Sequence, residues 1–525
     1  MAFSAVTVEL HMMIHRLIVA LLGCVSAWGI TPAEVVVVFN AASQRSEQCA
    51  RAYCAKRSIP TKQCVGLAGL PKGQDISRQE FDTKVRYPLL LHAGKNSWRL
   101  PVAQQKGLKP VRVMVLMPDI PLRVREEAEP GKKPGIPFQN CASVDSELML
   151  LGADYSSAGP LNNPFFNQDA AITEAKPPVL AVTRIDAPDD TTIRRMIQFP
   201  AEVEKRGLWG WTVVDQGGPY PVADKWFTDI VKLAGEHGQA VFHEESKATL
   251  APAFPLMQDT AVYFGWYANP ANGPFNPKTS ADFRFAPGAV ACHLHSYSGT
   301  SVKNPGSWVG ALLQRGAAVT AGNVYEPTLG GCLRVDVFYD RLLKGYTVAE
   351  ASLMATPWVS WQGVVLGDPL YRPYEVLSRN GGPGDNVHLQ WRRLLQEGMS
   401  RSSLKGAVLH QQGSPQGGAL LEMYAWHLAS LGDIEAAAGY FGQVASMAQN
   451  ERNQVRAALL QATLAFANKD ERYGRELMQR LLEKTTRSPF RPAVQKTAET
   501  FMPELRPQPK PQPQKPQSQT PQTKK

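Results

Sequence analysis

Long apolar runs are scarce in this chain of 525 residues. After the stretch 17–25, no segment approaches the roughly eighteen consecutive apolar residues that a spanning helix needs, so the mature chain is expected to carry no transmembrane span. The first apolar strand runs into Asn40-Ala41-Ala42-Ser43, which lacks the glycines that cradle a dinucleotide or a nucleoside triphosphate. A G-x-S-x-G elbow is also missing, which excludes the usual α/β-hydrolase serine. The net charge of +10 looks like a sign of nucleic acid, yet no stripe of Lys and Arg alternates with aromatics. Five of the cations lie between Arg506 and Lys525, where there is no acid, so nucleic acid is not expected as a partner. Cysteine is sparse, seven in all.

What is present begins with an export pattern. His15 and Arg16 precede the apolar run 17–25, small residues follow at Ala27 and Gly29, and polar residues begin at Thr31. This predicts a signal peptide over 1–29, with Met12 or Met13 the better start because the residues before them include Glu9. Leu21-Leu22-Gly23-Cys24 offers the alternative of lipoprotein processing. The expected location is the periplasm or the cell surface, where an envelope protein or a polysaccharide is the natural partner. Export also places Cys49, Cys54, Cys64, Cys141, Cys292 and Cys332 where disulfides persist, and a pair among the first three is the simplest expectation.

From 34 to 375, short β-branched runs alternate with amphipathic stretches, which predicts a doubly wound, mostly parallel α/β sheet covered on both faces. Strands are expected at 35–40, 111–118, 179–185, 211–215, 240–243, 261–266, 289–294 and 317–321. Helices are expected at 46–56, 78–92, 143–151, 192–205, 223–236, 307–314 and 335–343. Residues 385–500 read as helical. Leu431-Gly432-Asp433 before Ala436-Ala437 has the tight turn and small residues of a tetratricopeptide-like hairpin, with an echo at Lys469-Asp470 and Gly474. A plain helical hairpin fits as well. The Pro, Gln and Lys composition of 503–525 predicts disorder.

In a parallel sheet, ligands gather beyond the carboxyl ends of the strands. Asn40, Arg184, Asp186, Asp215, His293, His295, Ser296, Asn323 and Glu326 all end or follow predicted strands, so they are expected to line one cleft, with Trp266 in its wall. The densest patch, Cys292-His293-Leu294-His295-Ser296, admits three chemistries. Cys292 is a candidate nucleophile, although His293 as its immediate neighbour points to the opposite face of a strand. His293 and His295 share a face and form half of a zinc site, with Asp186 or Glu326 as a third ligand. The third reading is structural or binding. No cofactor is specified by the sequence.

On Arg57-Ser58-Ile59-Pro60, Ser143-Val144-Asp145-Ser146-Glu147-Leu148, Thr183-Arg184-Ile185-Asp186, Gly207-Leu208-Trp209-Gly210, His293-Leu294-His295-Ser296, Val324-Tyr325-Glu326-Pro327 and Gly367-Asp368-Pro369-Leu370-Tyr371, the chain resembles a bacterial family found in species that carry the exosortase (PEP-CTERM) sorting system. That family has no established activity. The resemblance implies an envelope protein tied to surface-protein sorting. A weaker likeness, from Tyr263-Phe264-Gly265 through Ala291-Cys292 to Gly367-Asp368-Pro369, is to gingipain-type peptidases of the caspase-like fold. It implies Cys292 as the nucleophile, yet Trp266-Tyr267 stands where that family has its His-Gly base, which points to a scaffold without peptidase chemistry.

Overall fold

The computed structural model describes residues 29–100, 109–125, 141–153, 159–170, 172, 179–245, 250, 260–278, 284–378, 387–414, 416–449 and 451–506. The expected leader up to residue 28 and the tail beyond 506 lie outside the described residues. Among those residues no helix is long and apolar enough to cross a membrane. The chain divides into two compact units, one up to Gly432 and one from Asp433.

Among the described residues the two larger sheets of the first unit hold ten strands: β1 (Val35–Asn40), β2 (Cys64–Leu67), β3 (Val113–Leu116), β4 (Ala181–Arg184), β5 (Trp211–Asp215), β6 (Val241–Glu244), β7 (Thr260–Gly265), β8 (Val290–His293), β9 (Thr320–Asn323) and β10 (Gly363–Leu366). The runs Val-Val-Val-Val and Val-Met-Val-Leu of β1 and β3 are buried throughout, as strands covered on both faces must be. One half has the order β10-β4-β3-β1-β2, with β4, β3, β1 and β2 parallel and β10 meeting β4 at the single pair Arg184–Leu366. The other, β6-β5-β7-β8, is also parallel, and a parallel bridge between Val290 and Val319 joins it to the start of β9.

β9 and β10 pair antiparallel, with Thr320 opposite Leu366 and Asn323 opposite Gly363. Ion pairs fix the sense of the rest: Arg45–Asp190 joins the starts of the helices Gln44–Arg57 and Asp190–Gln198, and Lys56–Glu202 and Arg57–Glu204 join their far ends. Both helices therefore return to the edge where β1 and β4 begin, β5 starts there, and the carboxyl ends of β1, β3, β4, β5, β7 and β8 emerge at one edge. Two strands absent from the sequence reading, β2 and β10, complete the sheet.

The principal helices are α1 (Gln44–Arg57), α2 (Tyr87–Lys95), α3 (Val144–Leu148), α4 (Asp190–Gln198), α5 (Pro221–Glu236), α6 (Trp308–Gln314), α7 (Val335–Leu343) and α8 (Val348–Ala355), followed by α9 (Val387–Gln396), α10 (Arg401–His410) and α11 (Gly417–Ser430). Their starts are written in the sequence: Ser43, Ser143, Asp189, Ser307 and Thr347 each accept a bond from a backbone N–H of the first turn. Short 3₁₀ segments and the helices Arg78–Phe81, Pro200–Val203 and Glu375–Ser378 fill in between.

The second unit is helical: α12 (Ile434–Met447), α13 (Glu451–Ala467), α14 (Glu471–Lys484) and α15 (Arg491–Phe501). Val455, Ala462, Met478, Leu481, Val494 and Ala498 form its core. Gly474 lets α14 approach α13, for a Cβ there would meet the Phe466 ring at 2.9 Å.

Candidate functional site

The expected residues fall into two groups along the carboxyl edge. Asn40, Arg184 and Asp186 stand where β1 and β4 end, and Asp215, Trp266, His293, His295, Ser296, Asn323 and Glu326 end or follow β5, β7, β8 and β9; Lys303, from the segment after β8, reaches Asp119 after β3.

In the first group the polar residues are occupied with one another. The Arg184 guanidinium, fully buried, donates to both Asp145 oxygens at 3.2 and 2.5 Å and to the carbonyls of Ile120 and Pro121. It ties α3 and the loop after β3 to β4 and presents nothing to a ligand. Asn40 donates to the Asp119 carbonyl and accepts from the Ala42 N–H. Asp119 in turn holds Ser43 and Lys303. Asp186 is buried, and its carboxyl is raised by that burial, opposed by the charges of Lys303, Arg184 and Arg45.

In the second group a single row of residues crosses three strands. Asp215 on β5 is in register with Gly265 on β7, and Gly265 with His293 on β8. Tyr263, two residues before Gly265, faces the same side of the sheet. Gly265 has no side chain, and the space is taken by the Tyr263 phenol: a Cβ there would lie 2.2 Å from its oxygen. The phenol bridges the row, 3.3 Å from Asp215 Oδ2 and 3.1 Å from His293 Nδ1.

His293 Nε2 accepts the Ala268 N–H at 3.3 Å, so Nδ1 carries the proton and donates to Tyr263, whose hydroxyl donates to Asp215. The imidazole also stacks on Trp308 with centroids 3.4 Å apart. Burial, then the neighbouring His295, holds its pKa well below the ordinary imidazole value. Asp215 is pushed up to about 7 by burial, against the bond from Tyr263 and with the help of the Glu244 charge.

These facts correct two chemical expectations. The zinc set of His293, His295 and Asp186 is not assembled: both His293 nitrogens are engaged, one with Tyr263 and one with the Ala268 N–H. Among the described residues no group of three His, Cys, Asp or Glu is placed to hold a metal ion. Cys292 points to the opposite side of β8 from His293 and is buried in the apolar cluster with Phe264 and Leu294. Its thiol is raised to about 12 by that burial, the reverse of what a nucleophile requires.

The surface of this part of the edge is aromatic. Tyr220, Trp266, Tyr267, His295 and Tyr297 follow one another with ring centroids 6.1, 6.1, 4.7 and 5.9 Å apart. Tyr220, Tyr267 and Tyr297 are 50, 44 and 49% exposed, so each offers a ring to solvent. Trp266 anchors the ridge, stacked on Phe227 of α5 and donating from Nε1 to Asp224 at 2.9 Å. Gly218 makes room for it, since a Cβ there would meet the indole at 2.0 Å. Beside the ridge Ser296 donates to Glu326, whose other oxygen accepts the Thr328 N–H. Asn323 reaches the Ser296 carbonyl at 3.4 Å and Cys332 Sγ at 3.8 Å.

Tyr220, Asp224, Tyr263 and Tyr297 were not among the residues expected at the site. The cue for Tyr263 was its spacing from Gly265, two apart in a strand that ends at a functional edge. No family model, curated protein or solved structure matches the chain.

Proposed function

We propose that this chain is an exported envelope protein whose aromatic ridge, at the edge where β5, β7, β8 and β9 end, binds a polysaccharide. The observation that carries the reading is the run of three half-exposed tyrosines joined by tilted and T-shaped ring contacts through Trp266 and His295. Flat rings beside carboxylate and hydroxyl groups suit a sugar, which lays its C–H face on the ring and its hydroxyls on the rim. Ser296 and Glu326 supply that rim. Export rests on the residues around 17–25, and the link to surface-protein sorting on the resemblance to the exosortase-associated family.

Binding is favoured over catalysis because His293 has no free nitrogen and Cys292 is an apolar-core thiol. One observation favours a hydrolytic second reading: Asp215, held near 7, has the pKa of a general acid. The caspase-like reading of the sheet stands with this proposal, supported by its parallel strands. The tetratricopeptide-like reading is supported by two similar turns, with Gly432 and Lys469 at φ 81° and 63° and Asp433 and Asp470 capping the helices that follow.

The test is retention of the full chain on immobilised bacterial polysaccharides, compared with Tyr267→Ala/Tyr297→Ala. Loss of two stacking contacts is expected to weaken binding about tenfold or more, with the melting temperature unchanged. Equal retention by both proteins, or no retention of either, contradicts the proposal.

A further inference from the structure

Of the three cysteines near the N-terminus, two are brought together by the fold. Cys54 lies in the last turn of α1, and Cys64 is the first residue of β2. The chain between them reverses at Ser58, which ends α1 in the left-handed region at φ 55°, passes Ile59 and Pro60, and enters a 3₁₀ turn at Thr61–Gln63. Pairing of β2 with β1 then sets Cys64 opposite Val37, on the strand against which α1 packs. The two thiols lie close enough for each to shift the ionisation of the other, Cys54 upward and Cys64 downward.

Cys49 does not compete. Five positions separate it from Cys54, which turns it about 140° around a helix of 3.6 residues per turn. Its surroundings are Arg45, Asp119, Asp186 and Asp190, at the edge where β1 ends. Cys141, Cys292 and Cys332 are buried elsewhere.

The pair is asymmetric. Cys54 is buried and Cys64 half-buried, and both line a surface groove of about 650 Å³ with Arg51, Ser58, Pro60 and Thr61. The Cys64 thiol is lowered first by the Cys54 thiol beside it and then by the charge of Arg51, against burial and Glu47, whereas the neighbouring Cys64 and burial raise Cys54. A half-buried thiol with a cation beside it and a second thiol behind it is the arrangement of an attacking and a resolving cysteine.

We propose that Cys54 and Cys64 form a redox pair that closes to a disulfide by exchange with a small or protein disulfide in the oxidising compartment. The Cys64 thiolate attacks one sulfur of the incoming disulfide, forming a mixed disulfide and releasing one thiolate. Cys54, on losing its proton to solvent, attacks the Cys64 sulfur and displaces the second thiolate. The protein loses two protons and two electrons, and the disulfide reagent is reduced to two thiols. The proposal is independent of the polysaccharide reading, since the pair lies on α1 and β2.

The test treats the full chain, purified reduced, with oxidised glutathione, then alkylates the remaining thiols and maps the peptides by mass. A link between the peptides of Cys54 and Cys64, with Cys49 alkylated, is expected. In Cys54→Ser the mixed disulfide of Cys64 with glutathione should persist and accumulate several-fold over the wild type. In Cys64→Ser, Cys54 should stay unmodified over the same time. Alkylation of both Cys54 and Cys64 in the wild type, a link from Cys49 to either, or modification of Cys54 in Cys64→Ser as fast as Cys64 in the wild type would each overturn it. Circular dichroism of both variants before treatment establishes that they are folded; if either is not, the wild-type map alone decides.

Discussion

Asp215 is a carboxylic acid whose burial favours the protonated form, and its value of about 7 stands well above the 3.8 of a free aspartate. The folded state therefore holds a proton that the unfolded chain has released. The stability this gives is fully present below about pH 4 and is lost as the pH rises through 7. Replacing Asp215 by Asn should flatten the stability-versus-pH curve over that window and leave the variant more stable than the wild type above pH 7, by on the order of a few kcal/mol. Urea unfolding at pH 5 and pH 8 measures it, and equal slopes in both proteins would contradict the assignment. Gly265→Ala should cost about 1–3 kcal/mol by overpacking, because its Cβ would meet the Tyr263 oxygen. Arg184 answers to a different rule. Arg184→Met leaves Asp145 buried without a counter-charge, for a loss of about 3–5 kcal/mol, and Arg184→Met with Asp145→Leu should recover part of it in the same unfolding assay.

Elements were legible where several residues agreed. β1 and β5 fall where the alternation of apolar runs placed them, at Val35–Asn40 and Trp211–Asp215, and α7 at Val335–Leu343. Helix starts were legible through their caps, as at Ser77 with Glu80, where both bonds of the capping box form. What was not legible was β10. Gly363-Val364-Val365-Leu366 is four residues long, too short for a period to register, and nothing local tells an antiparallel strand from a parallel one. It pairs antiparallel with β9, which the sequence pattern did not announce. Several motifs that carry the family resemblance turn out to be joints of the scaffold. Asp145 pairs with Arg184, Glu147 with Arg78, and Asp368 with Tyr53 and Arg57. Buried charges of this kind resemble a site in a sequence because both need the same residue types. Among the helices, Gly474→Val should lower the melting of the 433–506 unit by crowding Phe466, which is stacked on Phe501. Amide exchange across α13 and α14 should accelerate, and unchanged exchange would contradict the close approach of those two helices.

At the scale of the whole molecule, one parallel-rich sheet has a carboxyl edge of two chemically different parts. One, after β1 and β3, is closed by ion pairs of Asp119 with Arg45 and with Lys303 from the segment after β8. The other, after β5, β7 and β8, ends in exposed tyrosines over a hydrogen-bonded row from Asp215 to His293. The proposed export carries its own check, since N-terminal sequencing of protein secreted by the source cell should begin near Ile30. An intact leader would contradict it. The most direct measurement of the binding proposal is an NMR titration of the full chain, labelled at tyrosine, with the oligosaccharide of whichever polysaccharide retains it. The ring signals of Tyr220, Tyr267 and Tyr297, assigned by substitution, are predicted to shift together and saturate with one affinity, while buried Tyr53 and Tyr371 stay in place. Shifts confined to other tyrosines, or none at saturating ligand, would contradict the account.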